Sequence, residues 1–251
     1  MVEILRCAQN DIHMKGKNVK IDINCDMGEN AGNDKDIMPY ITSANIACGF
    51  HAGDAATMQA TVRLAKRYGV AVGAHPSWKD VEGFGRRKMM LPPENVEALI
   101  LYQIGALYAI AKTEGVEVQH VKPHGALYNQ AAQDRVLANA VAVAVKRFSE
   151  ELILVGLAGS TLIEAGVEVG LRVANEGFPD RNYNSDGTLV SRKQSNAIIE
   201  MPEEVAMHAL QLIENGILFE GKRVQVDTLC LHGDHPNVVE NAKLIRDNLL
   251  T

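Results

Sequence analysis

The sequence predicts an α/β fold whose parallel strands close, or nearly close, into a barrel. Three observations carry that expectation. From residue 20 onward, short β-branched runs alternate with longer segments of helical period, the mark of βα units. Seven strand runs recur in this way, at 20–26, 43–48, 70–75, 118–124, 152–157, 171–176 and 228–232. Finally, these strands are not apolar throughout, as strands covered on both faces of a doubly wound sheet would be. Asp22, Asn24 and Asp26 alternate with Ile21, Ile23 and Cys25, and His120, Lys122 and His124 alternate with Val121 and Pro123. Arg172 and Glu176 face away from Leu171 and Val173, as His232 and Asp234 do from Leu231. Successive side chains of a strand point to opposite sides, so each strand sends a polar face to a shared interior and an apolar face to helices.

The helices follow from their boundaries. Residues 54–68 start at a capping Asp54 and stop before Gly69, 93–113 begin after a Pro pair, and 134–148 start at a capping Asp134. Residues 202–214 run from Pro202 to Asn215-Gly216, and 236–249 carry Pro236 in the first turn, where a missing N–H costs nothing. Two stretches, 77–92 and 177–200, are long excursions after strands, the kind of loop that carries function in compact domains. No linker-like tract or internal repeat interrupts the chain. The reading is one barrel domain over 20–251, preceded by an N-terminal extension over 1–19 in which Met14 could be the true start.

Composition narrows the function. A chain of 251 residues buries roughly 70–75% of its unfolded surface. With 47% hydrophobic and 22% charged residues it fits neither disorder nor coiled coil. The net charge of -6 argues against nucleic acid, which is bound through an excess of Lys and Arg. Cys7, Cys25, Cys48 and Cys230 lack CxxC spacing and read as buried thiols of a reduced, cytoplasmic protein. No uninterrupted apolar run approaches ~20 residues, so neither a membrane span nor a secretory signal is expected.

Chemistry collects where strands run into loops, as barrel enzymes place it. His51, His75, His124 and His232 occupy corresponding places, each in a Gly-containing segment. Any one of them alone would read as a structural His; four together read as a site. Arg86 and Arg87 after Gly83-Phe84-Gly85, Arg181 after Asp180, and Arg192 beside Lys193 suggest clamps for carboxylate or phosphate. Gly216 to Lys222 matches GxxxxGK, but Arg223 follows and a helix precedes, so it is not a P-loop. No GxGxxG or GxSxG occurs, and Cys25 and Cys48 read as core thiols rather than nucleophiles. Lys122 lies within a strand, where an unpaired buried ammonium costs several kcal/mol, so it needs Asp22, Asp26 or a bound anion beside it.

In order, the segments Asp22-Ile-Asn-Cys-Asp-Met-Gly-Glu29, Ala44-Asn-Ile-Ala-Cys-Gly-Phe-His-Ala-Gly-Asp54, Gly73-Ala-His-Pro76, Gly83-Phe-Gly-Arg-Arg87, Val121-Lys-Pro-His-Gly-Ala-Leu-Tyr-Asn129, Asp180-Arg-Asn-Tyr183 and Cys230-Leu-His-Gly-Asp234 resemble the LamB/YcsF family over about residues 20–250. Pro179 and Ser191 depart from the family's commoner residues, and residues 1–19 fall outside its pattern. The resemblance implies a TIM-like (β/α)7 barrel of the glycoside hydrolase/deacetylase type. It implies the A subunit of an ATP-dependent 5-oxoprolinase, acting with subunits B and C to open 5-oxo-L-proline to L-glutamate. ATP is then a co-substrate, with Mg as its divalent ion, and whether the barrel itself holds a metal stays open. Asp22, Asn24, Asp26, His51, His75, Lys122, His124, Glu176, His232 and Asp234 are the expected catalytic set, with Arg86, Arg87, Arg181 and Arg192 for substrate or phosphate. Two alternatives stand beside it: a metal-dependent deacetylase or hydrolase of a small amide or sugar, which a tightly bound metal would favour, and a non-catalytic scaffold protein of the same complex.

Overall fold

The computed structural model of the protein describes residues 10–14, 17–219 and 221–250, so Cys7 and much of the expected N-terminal extension lie outside the described residues. An antiparallel pair comes first, β1 (Asn10–Met14) with β2 (Lys17–Met27). β2 then opens a parallel series with β3 (Ser43–Ala47), β4 (Ala71–His75), β5 (Val118–Val121), β6 (Ile153–Leu157) and β7 (Arg172–Gly177). A short hairpin, β8 (Ile217–Phe219) with β9 (Lys222–Val224), precedes β10 (Thr228–Leu231). β10 pairs with β7 on one side and β2 on the other, and β2 also pairs with β3, so seven parallel strands form a closed ring.

Helices cover the outside. α1 (Asp34–Ile37) and a 3-10 turn (Met38–Tyr40) fill the first crossover, followed by α2 (Ala55–Tyr68), α3 (Pro93–Thr113), α4 (Gly125–Ala131), α5 (Arg135–Phe148), α6 (Thr161–Glu168), α7 (Pro202–Asn215) and α8 (Val238–Leu250). Asp54 and Asp134 cap α2 and α5 as read, accepting from the backbone N–H of Thr57 and of Val136 and Leu137. α8 departs from the expectation: it begins at Val238, and Pro236 stands in the turn before it. α3 is by length and composition apolar enough to cross a bilayer, although no single run announced it. Here it lies in the outer layer beside α2 and α5, its buried side Val96, Ile100, Ile104, Leu107 and Ala111 at helical spacing.

The alternation in β2 works as the sequence demanded. Ile21, Ile23, Cys25 and Met27 are buried among the helices' apolar side chains. Asp22, Asn24 and Asp26 turn inward, and the lower lumen is lined by Asp22, Asn24, Ser43, Asn45, His120 and Thr228 on one side and by Ile153, Val155 and Ala174 on the other. Filling this ring takes close fits. A Cβ on Gly73 would stand 2.1 Å from His120 Nε2, so glycine in β4 is what admits the imidazole to the interior. Arg172, expected among the inward polar residues, instead emerges at the N-terminal end of β7, where its guanidinium meets Glu151 in solvent. β5 ends at Val121, three residues short of the predicted end, yet Lys122 N and His124 N still bond to the carbonyls of Ala74 and Pro76, so the alternation persists to His124.

Candidate active site at the C-terminal rim

Asp26, at the end of β2, joins two halves of the site. Its Oδ1 accepts from Lys122 Nζ at 2.9 Å and from Asn45 Nδ2 at 2.9 Å, and its Oδ2 lies 3.3 Å from His75 Nε2. Burial pushes this carboxyl up, but His75 and Lys122 more than offset it and hold Asp26 well below the usual carboxylate range.

On one side, the Lys122 ammonium sits in a cage. Besides Asp26 it reaches Glu176 Oε1 at 3.0 Å, Cys230 Sγ at 2.8 Å and Asn24 Oδ1 at 3.3 Å, and it lies 5.5 Å from the Phe178 ring centroid. Burial favours its neutral form, yet Asp26, Cys230 and Glu176 raise it well above the ordinary lysine value, so it stays charged. Asp22, offered by the sequence as an alternative partner, does not touch Lys122. It stands deeper in β2, satisfied by the hydroxyls of Thr42, Ser43 and Thr228, and burial raises it. Next to the cage, His232 Nδ1 donates to Asp180 Oδ2 at 2.8 Å while its ring stacks on Phe178. Burial works to raise Asp180, but His232 holds it below its ordinary value.

On the other side, His51, His75 and His124 gather around Glu29. His51 Nε2 is 2.8 Å and His124 Nδ1 3.3 Å from Glu29 Oε1, while His75 Nε2 is 2.9 Å from His124 Nδ1. Two of the outer nitrogens are spoken for: His75 Nδ1 meets the Lys122 carbonyl at 2.7 Å and His124 Nε2 the Phe84 carbonyl at 2.9 Å. A carbonyl only accepts, so each of those outer nitrogens carries a proton, and in the neutral ring the lone pair points inward. Burial, reinforced by the Asp26 charge, pushes Glu29 up to about 8, and burial lowers His51 to about 4. Gly85 (φ 66°) lets the 77–92 excursion lie against this cluster, since a Cβ there would be 2.9 Å from His51 Cβ and 2.8 Å from His124 Cδ2.

The excursions meet over the rim. Arg86 Nη2 donates to Asp234 Oδ2 at 2.5 Å, and Arg192 Nη1 approaches the same oxygen at 3.4 Å. The other two arginines are committed elsewhere. Arg87 pairs with Asp80 and Glu82 of its own loop. Arg181 is buried, its guanidinium donating to the carbonyls of Ala197 and Val190, so it stitches the 177–200 excursion together rather than facing a ligand. Sequence reasoning singled out neither Glu29 nor Asp180. The first stands three residues beyond Asp26 in a motif already noted, while the second was passed over for the arginine next to it.

The sequence profile of the LamB/YcsF family matches residues 21–251. Among curated proteins, the 5-oxoprolinase A subunit of Pyrococcus furiosus is 51% identical over 240 residues, spanning 92% of this chain and 94% of that protein. The 5-oxoprolinase A subunit of Symbiobacterium thermophilum is 50% identical over 245 residues, covering 94% of each. A solved structure, that of the lactam utilization protein from Thermus thermophilus, superposes with a TM-score of 0.84 at 47% identity, over 92% of this chain and 96% of that one.

Proposed function

The chain belongs to the LamB/YcsF family, and from that premise we propose that it is the A subunit of an ATP-dependent 5-oxoprolinase, opening 5-oxo-L-proline to L-glutamate together with subunits B and C. The reading is carried by likeness at about half identity over nearly the whole chain to proteins bearing that name. The chemistry of the rim agrees with it.

A lactam is a poor electrophile. Transfer of the ATP γ-phosphoryl group to its oxygen makes the ring carbon attackable. Water adds there, the C–N bond breaks with the nitrogen taking up a proton, and the resulting acyl phosphate loses phosphate to a second water. That course needs a fixed cation beside oxygen, a base for water and a clamp for the substrate carboxylate. Lys122 supplies the first, its ammonium aimed by Asp26 and Glu176 and withdrawn from solvent, where a charge acts most strongly on a developing oxyanion. His232 supplies the base: Asp180 fixes its Nδ1–H, leaving Nε2 to take the proton of water, and the carboxylate stabilises the imidazolium that forms. Arg86 and Arg192 supply the clamp, exchanging Asp234 for the carboxylate of 5-oxoproline. ATP enters as its magnesium complex, and the partner subunits complete the phosphoryl-transfer site, because this sequence holds no P-loop or GxGxxG motif.

The test is a coupled ADP-release assay with 5-oxoproline on this protein alone, on B and C alone, and on all three. Turnover only with all three is expected. Full turnover by the isolated chain would defeat the proposal, and turnover by B and C alone would make this chain a scaffold. A second reading, a metal-dependent hydrolase of small amides, draws on the Glu29 and histidine cluster; ring opening without ATP would select it.

A further inference from the structure

We propose that His75, His124 and Glu29 hold a divalent transition-metal ion, a resident of the barrel separate from the magnesium that travels with ATP. Three atoms define the place: His75 Nε2 and His124 Nδ1 are 2.9 Å apart, His124 Nδ1 and Glu29 Oε1 3.3 Å, and His75 Nε2 and Glu29 Oε1 3.8 Å. The circle through three points so spaced has a radius of about 2.0 Å, which is the bond length of zinc-like ions to imidazole nitrogen and carboxylate oxygen.

The electron count agrees. His75 and His124 give their outer N–H protons to the carbonyls of Lys122 and Phe84, so in the neutral rings two nitrogen lone pairs face each other across 2.9 Å. Glu29 Oε1 and, 3.3 Å from His75 Nε2, Asp26 Oδ2 add further acceptors. Such a set repels itself unless a proton or a metal cation sits among it. Two imidazoles with carboxylate suit zinc, cobalt, nickel or iron, whereas magnesium and calcium take oxygen ligands. His51 plays a different part. Its ring lies parallel to that of His124 at 3.8 Å, and one ion cannot lie in the planes of two stacked rings, so His51 Nε2 orients Glu29 rather than binding the ion.

This inference goes beyond the lactam reading and stands on donor geometry, so its test uses the chain by itself, without ATP, partners or substrate. After chelation and exposure to Co²⁺, the wild-type protein should retain one cobalt per chain through gel filtration, show visible d–d absorption without a thiolate charge-transfer band, and melt at a higher temperature. His75→Gln and Glu29→Gln should each weaken cobalt binding by at least about 100-fold, and His51→Gln, one shell out, by about 10-fold. Cys230→Ser should leave uptake unchanged. Retention of neither Co²⁺ nor Zn²⁺ by the wild type would overturn the proposal, whatever the variants do. A thiolate charge-transfer band, or loss of uptake in Cys230→Ser, would overturn it as well, moving the ion to the neighbouring Asp26, Cys230 and His232. A chain that binds cobalt as described while the ADP-release assay with all three proteins fails would retire the lactam reading and leave the ion.

Discussion

Removing the ammonium of Lys122 leaves Asp26 and Glu176 facing each other's charge in a buried place. Lys122→Met keeps the length of the side chain, and because it breaks a buried pair it should cost about 3–5 kcal/mol of stability at neutral pH. The loss carries a pH signature. Asp26 is held well below its ordinary value by His75 and Lys122, so the stability it contributes is present above about pH 4 and lost as pH falls through its folded value. The melting deficit of the variant should therefore be full from pH 7 down to about pH 4 and shrink as pH falls below that; a deficit that stays flat below about pH 4 would remove Lys122 as the group that holds Asp26. When all three proteins are assayed together, the same change should cut turnover by at least about 100-fold. A folded variant with near-normal turnover would reduce Lys122 to a structural cation. The need of Lys122 for a buried anion was legible in the sequence, but the identity of its partners was not. Asp22 and Asp26 share one strand face, and only the stagger of β2 against β5 and β7 around the ring brings Asp26 and Glu176, not Asp22, to the ammonium.

At the scale of elements, two contacts can be broken singly. Gly73→Ala in β4 drives a methyl group into His120 and should destabilise by about 1–3 kcal/mol. Because the clash needs both partners, Gly73→Ala with His120→Ala should lose clearly less than the sum of the two, measured by urea unfolding; strict additivity would show that the glycine is there for another reason. At the rim, Arg86→Ala should raise KM for 5-oxoproline with kcat within a few-fold, since a carboxylate clamp binds ground and transition states alike. A fall in kcat at constant KM would place Arg86 in the chemistry instead. The seven barrel strands could be read in advance because short β-branched runs recur between helical segments, and in four of them polar and apolar residues alternate. β1, α4 and the β8–β9 hairpin could not. α4 is only seven residues long and opens on a glycine, and the hairpin's three-residue strands carry too little period to stand out from a loop. Pro236 misled for a related reason: proline suits a first helical turn and a preceding turn equally.

Over the described residues, the buried charges Asp26, Lys122 and Glu176 sit inside the barrel, and the three described thiols lie among apolar side chains or beside Lys122. Cys25, Cys48 and Cys230 are buried, and burial pushes Cys48 up to about 12 and the other two upward as well. Since the thiolate is the reactive species, iodoacetamide should label these three at least about 100-fold more slowly in the native protein than in guanidinium, read by peptide mapping. Rapid native labelling of Cys230 would contradict the enclosure of the Lys122 cage.

The ring itself has a consequence for how the protein comes into being. β10 is the latest of the seven strands in the chain, yet it is the one seated between β7 and β2, and it meets β2 across about two hundred positions of sequence, Thr228 against Asp22. Until Thr228–Leu231 arrives, β2 and β7 are both open edges, and the Lys122 cage lacks Cys230. During synthesis the earlier strands must therefore wait with unpaired backbone exposed, which is the state most prone to associate with its own kind. A nascent chain halted before Thr228 should recruit chaperones or precipitate rather than accumulate as a soluble half barrel, and release of the stalled chain to include β10 and α8 should rescue it in one step.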